Sequence, residues 1–181
     1  YTKPIMMFKL KDNDELVSVS RYQGEYAIIV TSDGYALKYK TDEIPVVGIR
    51  TSGVKSIKLN PKANVVNGFV VNDNKEYVTI FTDRNTAKRM KCDDIDLTSR
   101  AKKGTSIIKS PKSKTYTIFK AFNTSSKSIF GIIDGVIGYL KSSDINILDK
   151  ASTGSTFTKK NVDNIFVLSK LIDTTNQKSE V

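Results

Sequence analysis

The chain has 181 residues, with no histidine and one cysteine, Cys92. These counts exclude the usual general base, the Ser-His and Cys-His nucleophile pairs, a structural zinc site and any internal disulfide framework. Lysine and arginine number 29 against 19 aspartate and glutamate, a formal net charge of +10, so a polyanionic partner is favoured and catalysis by this chain is not.

The opening stretch, residues 5–17 (IMMFKLKDNDELV), matches residues 54–66 (VKSIKLNPKANVV) at an offset of 49, with Pro4 where the later copy has Gly53. It reads as the second half of a repeating unit, so the chain is expected to be a piece of a longer protein. Residues 16–20 (LVSVS) alternate cleanly and predict that unit's fourth strand. No signal peptide stands at this start, and no apolar run is long enough to span a bilayer. A lone cysteine suits a reducing compartment, and without histidine Cys92 reads as a small residue near a strand end, not a reactive thiol.

From Tyr26 the chain states one pattern three times. The runs YAIIV (26–30), YVTIF (77–81) and IFGII (129–133) are short, β-branched and aromatic. Each ends at a turn: Asp33-Gly34, Arg84-Asn85 and Asp134-Gly135. Glycine supplies the positive φ a tight hairpin needs, and asparagine tolerates it best among the others. A second strand follows (35–40, 86–91, 136–141) and ends in Lys40, Lys91 and Lys141, which are 51 and then 50 residues apart. An acid-isoleucine pair comes next: Glu43-Ile44, Asp94-Ile95, Asp144-Ile145.

Gly53, Gly104 and Gly154 then precede predicted third strands (54–59, 105–110, 155–160) that carry Lys58, Lys109 and Lys159. Fourth strands are predicted over 64–72, 115–122 and 164–171, and the tail 174–181 is polar. Nowhere do apolar residues recur at helical spacing for ten residues, so almost no helix is expected. Four short strands per fifty residues, repeated, is the arithmetic of a disc of blades. The expected organisation is an all-β domain over 1–173: a half blade 1–24, then blades 25–75, 76–127 and 128–173.

Charge follows the repeat. Residues 97–133 hold no acid but contain Arg100, Lys102, Lys103, Lys109, Lys112, Lys114, Lys120 and Lys127. Residues 44–72 are also free of acid and contain Arg50, Lys55, Lys58 and Lys62. A surface built only for solubility mixes both signs; acid-free blocks that recur with a structural unit point to phosphate. The aromatic residues fall mostly within strand patterns (Tyr26, Phe69, Tyr77, Phe81, Phe119, Phe122, Phe130, Phe166) and read as core, not as base-stacking platforms.

The segment Gly48-Ile-Arg50, followed by Gly53-Val-Lys-Ser-Ile-Lys-Leu59 and Val65-Val66, resembles a blade motif of the A subunits of type IIA topoisomerases. The resemblance covers nearly the whole chain and is best in the first complete unit; the third keeps the glycine, the acid-isoleucine pair and the lysines. It implies a β-pinwheel, propeller-like with four-stranded blades that exchange strands with their neighbours, about three and a half of them here. It also implies a DNA-bending accessory domain with duplex along the outer rim, and no catalytic residue of its own, since the family's DNA-cleaving tyrosine lies in another domain. The gyrase branch carries a glutamine-basic-basic-glycine-glycine box, which is not found in these residues; it would normally sit in a first blade, expected upstream of the half unit that opens this sequence. The fading repeats and the Val-Lys-Ser-Ile wording of residues 54–57 favour the topoisomerase IV branch, with gyrase the alternative.

The residues expected on the DNA are Lys9, Lys40, Arg50, Lys55, Lys58, Arg89, Lys91, Arg100, Lys102, Lys103, Lys109, Lys141, Lys159 and Lys160. The competing reading for Lys40, Lys91 and Lys141 is an ion pair with Glu43, Asp94 and Asp144 three residues on; the recurring glycines read as structural. By resemblance the parent is an ATP- and Mg2+-dependent enzyme, bacterial and cytoplasmic on the nucleoid, assembled from two A and two B subunits. This fragment is expected to bind neither cofactor nor membrane. A protein-binding propeller is the alternative of a different class, but its Trp-Asp and Gly-His signatures are absent from a chain with no tryptophan or histidine.

Overall fold

The computed structural model describes residues 3–72, 76–109, 111 and 113–168. The tail and the end of the last predicted strand lie outside them. Eleven strands are present among the described residues: β1 (Tyr26–Thr31), β2 (Tyr35–Lys40), β3 (Val65–Val71), β4 (Tyr77–Thr82), β5 (Thr86–Lys91), β6 (Thr105–Ser106), β7 (Ile118–Thr124), β8 (Ile129–Ile133), β9 (Ile137–Lys141), β10 (Ser155–Thr156) and β11 (Asn164–Val167). The only helical elements among them are 3-10 turns at Thr41–Glu43, Cys92–Asp94 and Ser142–Asp144, each directly after a second strand.

Each unit folds as the hairpins predict. Gly34 and Gly135 take φ of 86° and 87°, and Asn85 takes 55° in the same slot. The hairpins β1–β2, β4–β5 and β8–β9 are antiparallel, and the fourth strand of each unit pairs on the free side of its first. The third segment behaves differently. β6 pairs with β2, and β10 pairs with β5, so each leaves its own unit and completes the sheet of the unit before it. The sheets therefore run β3-β1-β2-β6, β7-β4-β5-β10 and β11-β8-β9. This is the strand exchange the resemblance implies, and it offsets the sheets from the sequence units.

Some predicted strands are corrected by this exchange. Residues 105–110 and 155–160 are strand for two residues only. Residues 54–59 and 16–20 are not strand at all, because the second and first strands that would take them in the same register have no counterpart among residues 1–24. Their position in the unit is nevertheless right. Arg50 N–H donates to Met7 O at 3.1 Å and Lys9 N–H to Thr51 O at 3.0 Å; one unit later Ala101 N–H donates to Ser56 O and Lys58 N–H to Lys102 O, both at 2.8 Å. The fourth strand β7 also begins and ends slightly later than residues 115–122.

Alternate residues of a strand face opposite sides of its sheet, and in the first two sheets both sides are buried. On β1, Ile28 and Val30 pack toward the second unit, in a core with Val78, Ile80, Met90, Ile107 and Ile118. Ala27 on the other side packs with Leu37, Tyr39 and Ile57. Between the second and third units the core is aromatic: Phe81, Phe130, Phe119, Phe122 and Phe157, joined by Ile145 and Ile165. The cores thus lie between blades. β3 packs against β7, linked by Asn67 Nδ2 donating to Ala121 O at 2.7 Å. The fourth strands are therefore where blades converge, and β6, β10 and their flanking loops form the opposite, outer edge.

Candidate nucleic-acid interface

Two stretches wrap the outer edge as straps: residues 99–109 on the first sheet and residues 149–160 on the second. Each leaves a 3-10 turn, runs parallel to the preceding unit's second strand at one bridge (Lys38 with Leu97, Arg89 with Ile147), loops out and returns antiparallel. The return needs the recurring glycine. Gly104 and Gly154 have φ of 87° and 89°, and a Cβ there would strike the backbone of Ala36 or Ala87 across the sheet. The hairpin glycine serves the same end, since a Cβ on Gly34 would strike the Ile108 side chain of the first strap.

The straps carry much of the expected cationic set. Lys102, Lys103 and Lys109 are exposed on the first, and Lys159 and Lys160 on the second. Lys55 and Lys58 are exposed and are brought to the first strap by hydrogen bonds to the backbone: Lys58 N–H to Lys102 O, and the Arg100 guanidinium to Lys55 O. Lys103 Nζ rests 4.3 Å from the centroid of the Tyr35 ring, a cation–π contact that orders the ammonium without neutralising it. Lys9 and Arg50 are exposed together along the opening segment, Arg50 in the left-handed region at φ 69°.

Lys40, Lys91 and Lys141 are also exposed, but at the far end of their hairpins. Lys40 is opposite Tyr26 at the start of β1, whereas Ile107, two residues before Lys109, bonds Gly34 at the turn. At about 3.3 Å per residue, the length of β2 sets the two rows roughly 17–20 Å apart. The two lysine columns therefore form two rows. The competing ion pairs of the far row are not formed among the described residues: Asp94 Oδ2 accepts from Lys91 N–H at 3.3 Å, and Glu43 Oε2 accepts from Arg100 N–H at 2.7 Å.

Arg89 has to be removed from the set. It is 6% exposed, its Nε donates to Ile145 O at 2.8 Å and its Nη2 to Ser143 O at 3.4 Å, and its guanidinium lies 5.0 Å from the Tyr77 centroid. Lys38, one unit earlier, does the same work. Its Nζ donates to Cys92 O at 2.9 Å, sits 3.5 Å from Asp93 and lies 4.9 Å from the Tyr26 centroid. This column holds the next unit's 3-10 turn, a structural task. Arg100 is half-buried, and besides Lys55 O its Nε bonds Glu43 O at 3.0 Å, so its donors are largely committed.

Lys88 is a third interior cation, fully buried, with Nζ donating to Asp149 O at 2.7 Å, Ser152 O at 2.8 Å and Lys150 O at 3.4 Å. Burial holds its ammonium down to a pKa of about 8, with the Asp149 carboxylate acting weakly in the other direction. Sequence alone missed these staples because their partners are carbonyl groups more than fifty residues away. Two acids were also missed: Asp96, 3.2 Å from Lys150, and Asp134, 3.5 Å from Lys160. No group of three or more histidine, cysteine, aspartate or glutamate side chains that could hold a metal ion is present among the described residues.

An all-β array whose blades trade their outer strands, with exposed lysines on each traded strap, defines a β-pinwheel. The chain belongs to the DNA gyrase C-terminal domain family of β-propellers, whose model matches residues 2–22, 25–72 and 76–114. It is similar to the A subunit of DNA topoisomerase 4 from Streptococcus pneumoniae serotype 4, with 30% identity over 150 residues; the match takes in 82% of this chain and 17% of that protein. It therefore spans about a sixth of that relative's length. The crystal structure of the C-terminal domain of DNA topoisomerase IV superposes with a TM-score of 0.84 at 25% identity, covering 98% of this chain and 60% of that one. The DNA gyrase A C-terminal domain superposes at 0.75 with 18% identity, over 89% of this chain and 57% of that one, a likeness of fold.

Proposed function

We infer that this chain is a non-catalytic domain that binds and bends duplex DNA with little sequence preference. Its place would be in the A-type polypeptide of a topoisomerase IV, where it helps the enzyme select DNA crossings for decatenation and supercoil relaxation. The observation that carries this reading is the row Lys58, Lys109 and Lys159: one exposed lysine per unit on the outer edge, in no ion pair among the described residues. Ammonium groups on phosphates release condensed counterions, which gives affinity that is nearly blind to sequence and falls steeply with salt. An edge with lysines at each blade also offsets the roughly 1–6 kcal/mol needed to bend a short duplex.

The similarity to topoisomerase IV favours that parent over gyrase. The parent would be an ATP- and Mg2+-dependent type IIA topoisomerase working on the nucleoid in the cytoplasm, built from two A and two B subunits. No helix among the described residues is long and apolar enough to cross a membrane.

A fluorescence-anisotropy titration of a short random-sequence duplex, repeated over a range of salt, tests the DNA reading. The wild-type chain is expected to show a steep negative slope of log affinity against log salt. Reversal of Lys58, Lys109 and Lys159 to glutamate should flatten that slope by about three. Wild-type binding that ignores salt, or no binding in dilute buffer, would sink the reading.

A further inference from the structure

The two straps share their parallel bridge, their positive-φ glycine and their two-residue strand, but not their charge. Arg100, Lys102, Lys103 and Lys109 of the first stand where the second has Lys150, Ser152, Thr153 and Lys159, at an interval of 50. On the first strap none of Lys102, Lys103 and Lys109 is in an ion pair among the described residues, nor is the adjoining Lys58. Asp14 and Glu15 line the same groove as Lys55 without an ion pair to it. On the second strap two of the three lysines face carboxylates. Lys150 Nζ lies 3.2 Å from both oxygens of Asp96, and Lys160 Nζ lies 3.5 Å from Asp134.

Those carboxylates are held in place. The Thr105 hydroxyl donates to Asp96 Oδ2 at 2.8 Å, and with Lys150 it keeps the Asp96 carboxyl below the usual carboxylate range. Asp134 is mostly buried, with its side chain 14% exposed, in the β8–β9 turn. A carboxylate oxygen close against an ammonium occupies the position a phosphate oxygen would take. A duplex approaching the second strap must therefore displace an anion the protein already supplies, and also meets that anion's repulsion.

We propose that the first strap with Lys58 is the primary phosphate-binding surface, and that the second strap is a masked one in which Asp96 and Asp134 stand in for phosphate. The proposal rests on the DNA-binding reading of the chain. It makes the outer edge unequal along its length: DNA is gripped at the junction of the first and second units and held only loosely beyond it. The two acids set where the grip ends.

The same anisotropy titration on the 181-residue chain tests it. Lys102→Gln with Lys103→Gln should lower affinity and reduce the salt slope by about two, one for each phosphate no longer neutralised. Asp96→Asn with Asp134→Asn should instead raise affinity, on the order of tenfold, and steepen the slope by about two. Asparagine at 96 can still accept the Thr105 hydroxyl, and a thermal melt of each variant checks that the fold is kept.

The proposal is overturned if the Asp double variant, folded, leaves both affinity and slope unchanged. It is also overturned if Lys150→Gln with Lys160→Gln weakens binding as much as the first-strap double variant. In both of those outcomes a wild type with a steep slope leaves the DNA reading standing. A wild type that fails to bind removes both.

Discussion

The two seams between complete units share one backbone plan and differ in nearly every side chain. At each, a strap from the later unit joins the earlier sheet, a cation from the second strand holds a 3-10 turn, and a positive-φ glycine lets the strap lie close. Yet the first seam is mostly aliphatic, is held by Lys38, and leaves Lys102, Lys103 and Lys109 in no ion pair among the described residues. The second is packed with phenylalanine, is held by Arg89 and Lys88, and has two of three strap lysines facing acids. The glycines, turns and acid-isoleucine pairs that define the topology are kept because only a few residue types meet their backbone demands. The outer charges are under no such demand, so they vary from blade to blade. In the third unit Tyr139 takes the place of Lys38 and Arg89 and is 74% exposed.

The largest expected break of this comparison is in the aromatic seam. Phe81 makes edge-on contacts with Phe130 and Phe157 at centroid distances of 5.1 and 5.2 Å. Phe81→Ala should cost about 3–5 kcal/mol in urea denaturation, and hydrogen exchange should show strap 149–160 loosening before strap 99–109. Equal loosening of both would mean the seams are not independent units.

A smaller effect separates staple from DNA contact. Arg89→Met should cost about 1–3 kcal/mol by stranding the carbonyls of Ile145 and Ser143, and the folded variant should keep the wild-type salt slope for DNA. A slope reduced by about one would return Arg89 to the binding surface.

A further expected effect is a matter of pH. Lys88 has its pKa lowered from 10.5 to about 8 in the folded chain. Between those values the unfolded chain holds a proton that the folded chain has released, so this lysine makes stability rise as pH climbs from about 8 to 10.5. Below pH 8 the full cost of burying the ammonium is present. Lys88→Met should remove that rise, seen as the difference between wild-type and variant urea midpoints across the window. An unchanged difference would show that the site titrates normally.

Much of the fold was legible in the chain. The hairpins 26–40 and 77–91 can be read almost to the residue, because strand alternation and the φ demanded at Gly34, Asn85 and Gly135 are local properties. The row Lys58, Lys109 and Lys159 was legible too, since its period is the unit's own. The separation of that row from Lys40, Lys91 and Lys141 was not, because sequence spacing along a hairpin does not say that the strap returns at the turn end.

By itself the sequence determined the repeat, its strands, its turns and its surplus of positive charge. Tertiary structure decided which sheet each third segment joins, and which cations are staples, which are masked and which are free. The physical reason is range. The partners that settle the fates of Lys38, Arg89 and Lys88 stand 54, 56 and 61 residues away, and each is a backbone carbonyl, a group that every residue carries and no sequence pattern marks.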